Sequence, residues 1–308
     1  MLPTILVAES TGFAPEACEI LRRAGNVCLE DLNAESLSER LKEADVLWVR
    51  LRNRIDGSIL SRARRLKAIA TPTTGLNHID IEAAQSRGIE ILSLRGEVDF
   101  LRDIRATAEL TVGLALALIR RVPQAFDHVQ RGGWQRDLFQ GSELYRKIIG
   151  IVGYGRLGKI VADYFSAFGA RVIAADPYID AREVSRSVEL VTLEELIRRA
   201  DLVSIHVNLS AHTTRLFDEA KFAVMKRGAY LINTSRGEIV DERALLAALE
   251  SGHLAGAGID VIADEHNIST SPLVAYSRTH TNLLITPHIG GCTRESMEKT
   301  EVFLAHRV

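Results

Sequence analysis

The sequence predicts an α/β protein built from two doubly wound parallel-sheet domains, and three observations carry that prediction. Short apolar runs alternate with helical patterns along the whole chain, the rhythm of βαβ units rather than of a sandwich or a helix bundle. Two sets of such units are separated by the polar stretch around Gly96 to Asp103. The second set opens on Ile148-Ile149-Gly150-Ile151-Val152, which runs directly into Gly153-Tyr154-Gly155-Arg156-Leu157-Gly158.

In the first set the apolar runs place strands at 4–8, 27–29, 46–49, 68–70 and 90–92, with helices near 15–23, 35–42, 56–63 and 80–86, which is a small five-stranded domain. In the second, strands are expected at 148–152, 171–175, 202–206, 229–233, 256–260 and 283–286; six strands suit a complete dinucleotide-binding fold. Between the sets, Thr107 to Arg121 forms a helix with apolar residues on most faces. Such a helix is normally buried, here either between the two domains or against another subunit. Gly132-Gly133-Trp134 marks a loop after it.

A chain of 308 residues, 46% hydrophobic and 25% charged, has material for two cores. Its formal charge of −2 provides no basic field for nucleic acid and no polybasic stripe for anionic lipid. The apolar run Leu110 to Ile119 is too short to span a bilayer and is bounded by Glu109 and Arg120. Residues 3–8 read as a first strand rather than a signal segment. Cys18, Cys28 and Cys292 form no CxxC and are too few for a zinc site; their odd number fits a reducing compartment, so a cytoplasmic location is expected.

The glycine run has the context that a dinucleotide cradle needs. A strand precedes it, and a helix with apolar Leu157, Ile160, Val161, Tyr164 and Phe165 follows. Backbone N–H groups at the start of such a helix can approach a pyrophosphate at the positive end of the helix dipole. Asp176 ends the next apolar run, about 20 residues on, where a carboxylate accepts from ribose hydroxyls and repels a 2′-phosphate. The cofactor expected is therefore NAD rather than NADP.

Open parallel sheets place their ligands at the carboxyl ends of the strands, and three polar groups follow strands of the second set. Arg236, in Asn233-Thr234-Ser235-Arg236-Gly237, has a planar fork suited to a carboxylate. Glu265 and His288, the latter in Thr286-Pro287-His288-Ile289-Gly290-Gly291, can form an acid–base pair, since a carboxylate on the second ring nitrogen fixes the tautomer of the imidazole.

With these motifs in place, the chain resembles the D-isomer-specific 2-hydroxyacid dehydrogenases over nearly its whole length. Further carriers of the resemblance are Thr74-Gly75-Leu76-Asn77-His78-Ile79-Asp80, Ala106-Thr107-Ala108-Glu109, Asp176-Pro177-Tyr178, His206-Val207-Asn208-Leu209 and Asp260-Val261. The resemblance implies hydride transfer between NAD and C2 of a D-2-hydroxy acid or 2-keto acid, with Arg236, Glu265 and His288 as the catalytic set. It implies a cofactor set of Gly153, Gly155, Arg156, Leu157, Gly158, Asp176, His206, Thr234, Asp260 and Gly290, with Asp260 at the nicotinamide amide. Arg50, Thr74 and Gly75 fall on the substrate side.

The implied architecture is a Rossmann domain over residues 101–289 and a flavodoxin-like substrate domain over 1–100 and 290–308, closed by a C-terminal helix from Arg294 to His306. A homodimer through the NAD-binding domain is also expected, as is a small anionic substrate. The cluster Arg50, Arg52 and Arg54 favours a phosphoglycerate-like substrate, and the end of the chain at Val308 implies that no regulatory serine-binding domain follows. An NAD-sensing corepressor-like binding protein with little turnover is the alternative, and the intact Arg, Glu and His weigh against it. Asn208 and His266 stand where the family often has proline and Leu110 where it often has histidine, and the Glu265 to His288 interval is longer than usual. These departures are expected to alter loop shape and substrate choice more than chemistry.

Overall fold

The computed structural model describes residues 2–308. The chain divides into two compact units, one comprising the residues up to Ile104 together with Cys292–Val308, the other Arg105–Gly291.

In the first unit, β1 (Thr4–Val7), β2 (Asn26–Leu29), β3 (Val46–Trp48), β4 (Ala68–Thr71) and β5 (Glu90–Ser93) form an all-parallel sheet in the order β2-β1-β3-β4-β5. That is the flavodoxin-like order. The central strands are apolar on both faces because helices cover both sides: Leu6, Leu47 and Ile69 join one core with Leu37 and Leu60, while Ile5, Val7 and Trp48 join another with Ala17 and Leu21. The C-terminal helix Arg294–Ala305 completes the second of these cores through Leu304 and Ala305. Thr293 caps it, accepting from Ser296 N at 3.1 Å.

The second unit has seven parallel strands, one more than the sequence suggests. They are β6 (Ile148–Val152), β7 (Arg171–Ala175), β8 (Val188–Leu190), β9 (Leu202–Ile205), β10 (Ala229–Asn233), β11 (Leu254–Ile259) and β12 (Leu283–Ile285), ordered β12-β11-β10-β9-β6-β7-β8. The added strand, β8, is a three-residue edge strand in which only Val188 is buried, so it leaves almost no apolar run to detect. The chain reverses direction across the sheet between β6 and β9, and this switch point is where a doubly wound sheet opens a crevice for a ligand.

The apolar helix runs Ala106–Ile119, and much of its surface packs within its own unit, against β10, β11, β12 and the helix Arg156–Ala167. Glycines in β11 allow the approach. A Cβ on Gly256 would lie 3.0 Å from Leu118 Cδ1, and one on Gly258 3.3 Å from Leu114 Cβ. The left-handed Arg121 (φ 55°) then turns the chain into a helix, Val122–Gln130, absent from the elements expected above. None of its residues is buried, so no core-facing stripe marks it.

Candidate active site

The three glycines after β6 are glycine for three different reasons. Gly153 has φ +91°, and a Cβ there would sit 2.8 Å from the His206 carbonyl carbon; a Cβ on Gly158 would lie 2.0 Å from Gly153 O. These two are required by the turn and by packing of helix on strand. Among the described residues, its chain neighbours aside, nothing comes within 4 Å of a Cβ on Gly155, the residue that begins the helix Arg156–Ala167 without any side-chain cap. Bare backbone facing open space at a helix N-terminus is what a pyrophosphate requires. Arg156 opens the helix, and burial lowers its pKa from the ordinary arginine value.

Asp176 sits just past β7, accepting from Tyr154 N and Tyr178 N at 2.9 Å each, which fixes its carboxylate beside the glycine turn. His206 follows β9. Its Nε2 lies 2.8 Å from Ser204 Oγ, while its buried Nδ1 has no partner among the described residues, and burial lowers its pKa to about 3. Open glycine backbone, a positioned acid and an orphaned ring nitrogen together fit a bound dinucleotide.

At the ends of β10, β11 and β12 the predicted polar groups are each held by local bonds. In the turn after β10, Asn233 Nδ2 donates to Arg236 O (2.9 Å), Ser235 Oγ donates to Ile205 O (2.9 Å), and Arg236 Nη1 donates to Ser235 O (2.6 Å). Thr234 is buried, with its hydroxyl 2.9 Å from that of Thr111. Burial lowers the pKa of Arg236, and the nearby charges of Glu265 and Glu238 oppose that shift.

Past β12, His288 is in the left-handed region at φ +52°, a conformation uncommon outside glycine. Asp260 holds it there. Its backbone oxygen accepts from His288 N (2.8 Å), and its carboxylate accepts from Thr286 Oγ1 (2.5 Å), Ile289 N (2.8 Å) and Gly290 N (2.8 Å). Asp260 is 1% exposed, and burial raises its pKa against these bonds and the charge of His288. The strained turn aims the imidazole at the next loop: His288 Nδ1 meets Glu265 Oε2 at 2.7 Å. The long interval between the two is taken up by a short 3-10 turn, Ile268–Thr270, and the helix Pro272–Ser277. With Nδ1 so engaged, Nε2 is the ring nitrogen left to exchange a proton with a ligand.

The remaining sequence candidates lie in the first unit. Thr74, exposed, and Gly75, half-buried, follow β4 in a loop where Thr73 Oγ1 donates to Gly75 O at 2.8 Å. Arg50 follows β3 and is tied to Glu301: its Nε donates to Glu301 Oε1 at 2.8 Å, its Nη2 bonds the same oxygen, and its Nη1 donates to Thr11 O at 2.8 Å. Arg52 pairs with Asp31 at 3.1 Å, and Arg54 is exposed. Sequence reasoning missed Glu301, whose one available signal is its place on the buried stripe Ser296, Thr300, Glu301 and Leu304. It also missed the clamping bonds of Asp260, which no spacing rule encodes.

This arrangement defines an NAD-binding protein of the doubly wound class, and comparison with known proteins narrows the class. Residues 112–290 match the family described as D-isomer specific 2-hydroxyacid dehydrogenase, NAD binding domain. The chain belongs to the D-isomer-specific 2-hydroxyacid dehydrogenase family. It is 37% identical over 297 residues to D-3-phosphoglycerate dehydrogenase of Methanocaldococcus jannaschii (95% of this chain, 55% of the relative). It is 34% identical over 309 residues to the Mycobacterium tuberculosis protein of the same name (100% and 56%). The chain thus spans about half the length of the curated relatives it matches. Among solved structures, the TT0316 protein of Thermus thermophilus is similar at TM-score 0.84 and 36% identity, covering 98% of this chain and 94% of that one. D-lactate dehydrogenase from Aquifex aeolicus, complexed with NAD and lactic acid, is similar at TM-score 0.82 and 27% identity (98% and 93%).

Proposed function

We propose that this protein is an NAD-dependent D-2-hydroxyacid dehydrogenase. The observation that carries the reading is the His288–Glu265 pair, held by a left-handed backbone at the same sheet edge as the open glycine turn. NAD bound at Gly153–Gly158 supplies the hydride donor or acceptor. The protein's own groups do the rest. Arg236 holds the substrate carboxylate with its fork and, through its charge, stabilises the negative charge that grows on the C2 oxygen. His288 Nε2 gives a proton to that oxygen in reduction and takes it in oxidation, while Glu265 fixes the tautomer and stabilises the imidazolium. Asp176 accepts from the ribose hydroxyls, and the backbone at Arg156 and Leu157 binds pyrophosphate. The resemblance adds His206, Thr234, Asp260 and Gly290 to the cofactor set and Arg50, Thr74 and Gly75 to the substrate set.

The substrate is a small anionic 2-keto acid and its D-hydroxy acid. The two curated relatives above are named D-3-phosphoglycerate dehydrogenases, so 3-phosphohydroxypyruvate comes first in a panel with hydroxypyruvate, glyoxylate, pyruvate and branched 2-keto acids. Because Arg50 and Arg52 are engaged by Glu301 and Asp31, exposed Arg54 is the better donor for a distal phosphate. The test is NADH oxidation across this panel. Turnover with one or more members is expected, and NADH binding with no turnover anywhere would overturn the enzyme in favour of a sensor.

We further propose a homodimer through the second unit. Val122, Phe126 and Val129, at helical spacing, are exposed together with Trp134 (86%) and Leu138. An apolar face of that kind on a water-exposed helix favours a protein partner, and light scattering should return twice the chain mass. The three free cysteines fit a reducing cytoplasm.

A further inference from the structure

The helix Glu242–Glu250 follows the turn that carries Arg236, and Asp241 already caps it, accepting from Arg243 N (3.0 Å) and Ala244 N (3.1 Å). An acid in a first helical turn ordinarily stays solvated and complements the helix dipole. Glu242 does something else. It is half-buried, and its Oε1 accepts at 2.7 Å from the N–H of Ala263, on the loop past β11. Its surroundings oppose its charge: burial raises its pKa, Glu238, Asp241 and Asp264 raise it further, and the Ala263 N–H acts in the other direction. A carboxylate kept in so unfavourable a place has the Ala263 bond as its compensation.

Ala263 stands two positions before Glu265. The same loop presses on the arginine turn, since a Cβ on Gly237 would lie 2.0 Å from Ile262 C and 2.2 Å from Ala263 N. Arginine turn, helix start and glutamate loop are therefore one packed assembly, with the Glu242 bond across it.

We propose that Glu242 is a positioning residue, whose bond to Ala263 N–H holds the loop where Glu265 can reach His288 Nδ1. The inference rests on the acid–base role given to that pair above. Glu265 faces His288 and Arg236; Glu242 faces Glu238, Asp241 and Asp264.

The test uses the full chain with Glu242→Ala, Glu242→Gln and Glu242→Asp. The Nδ1–H proton that His288 shares with Glu265 is followed by NMR of labelled histidine, with the signal assigned by its loss in His288→Asn. In Glu242→Ala that downfield signal should weaken or move upfield, as the carboxylate that accepts it is less well placed. Turnover should fall about 10- to 100-fold, the scale of a small misplacement, with KM and NADH affinity nearly unchanged. Glu242→Gln keeps an oxygen acceptor and should restore most of both; Glu242→Asp, charged but too short, should resemble Glu242→Ala and serves if that variant does not fold. A wild-type Nδ1–H signal and turnover in the alanine or aspartate variant, or a glutamine variant as impaired as alanine, overturns the proposal. If the wild-type chain turns over no 2-keto acid, the dehydrogenase reading fails alone, and the Nδ1–H signal still decides the role of Glu242.

Discussion

The two sheets of this protein share one construction and differ in what stands at the carboxyl ends of their strands. At the edge of the five-stranded sheet, charged groups close on one another. Glu9 accepts from Asn53 N (3.0 Å) and Asn53 Nδ2 (3.1 Å), Asp31 binds the hydroxyls of Ser10 and Thr11 as well as Arg52, and Glu301 binds Arg50 and, at 2.8 Å, Ala14 N. These contacts fasten loops and the C-terminal helix to the sheet. At the edge of the seven-stranded sheet, buried groups instead hold strained or open backbone: Asp260 secures His288 at φ +52°, and Gly155 leaves its turn open. Two doubly wound parallel sheets thus carry a fastening in one unit and a held histidine–glutamate pair in the other, so the difference lies in a few residues at strand ends and not in the class of fold.

Substitutions at the two edges should therefore fail in different ways. The largest effect expected is on turnover: His288→Ala should lower kcat by roughly 10²–10⁴-fold, the usual value of a general acid–base group, while its thermal midpoint stays close to wild type. Unchanged kcat would remove the reactive pair from the comparison. At the other edge Glu301→Ala leaves Arg50, a side chain only 16% exposed, without its carboxylate, and breaking such a largely buried pair costs up to about 3–5 kcal/mol. Urea denaturation should show that loss in the first unit, with NADH affinity retained. A loss below about 1 kcal/mol would mean that the pair is not the fastening its burial suggests. Arg236→Lys keeps the charge and loses the fork, so kcat/KM should drop about 100-fold, equivalent to about 2.7 kcal/mol, with NADH affinity unaltered; weakened NADH binding would instead place Arg236 in the cofactor site.

How much of this was legible in the sequence follows from how each feature is encoded. The strand, glycine turn and Asp176 are local and ordered, so they are readable, as is the alternation that gives two parallel sheets. Edge strand β8 is not, since a strand that buries one residue leaves almost no apolar run, and the helix Val122–Gln130 is not because its apolar positions, Val122, Phe126 and Val129, point to no core of this chain. Arg236, Glu265 and His288 can be named because arginine, glutamate and histidine after strands are chemically conspicuous. The bonds that fasten the surrounding loops are less visible: Asp260, Glu242 and Glu301 bind backbone or side chains far along the chain, and nothing within a few residues of each announces its partner.

His206 gives the smallest predicted effect and the one that separates stored instability from ordinary packing. Its ring is neutral in the folded protein because burial lowers its pKa to about 3, whereas an unfolded histidine titrates near 6.5. Above pH 6.5 both states are neutral and the full stability is present. As pH falls the unfolded chain takes up a proton that the folded ring refuses, so stability declines from about pH 6.5 down to the folded value near 3. At pH 5.5 the loss from this one ring is about 1.4 kcal/mol. His206→Gln removes the titrating group, so the difference in unfolding free energy between pH 7 and pH 5.5 should be smaller by about 1.3 kcal/mol than in the wild-type chain, a little of the loss being already present at pH 7. An identical pH dependence in the two proteins would show that the ring is solvated enough to protonate in place, and the cofactor-side edge would then carry one less group held against its own chemistry.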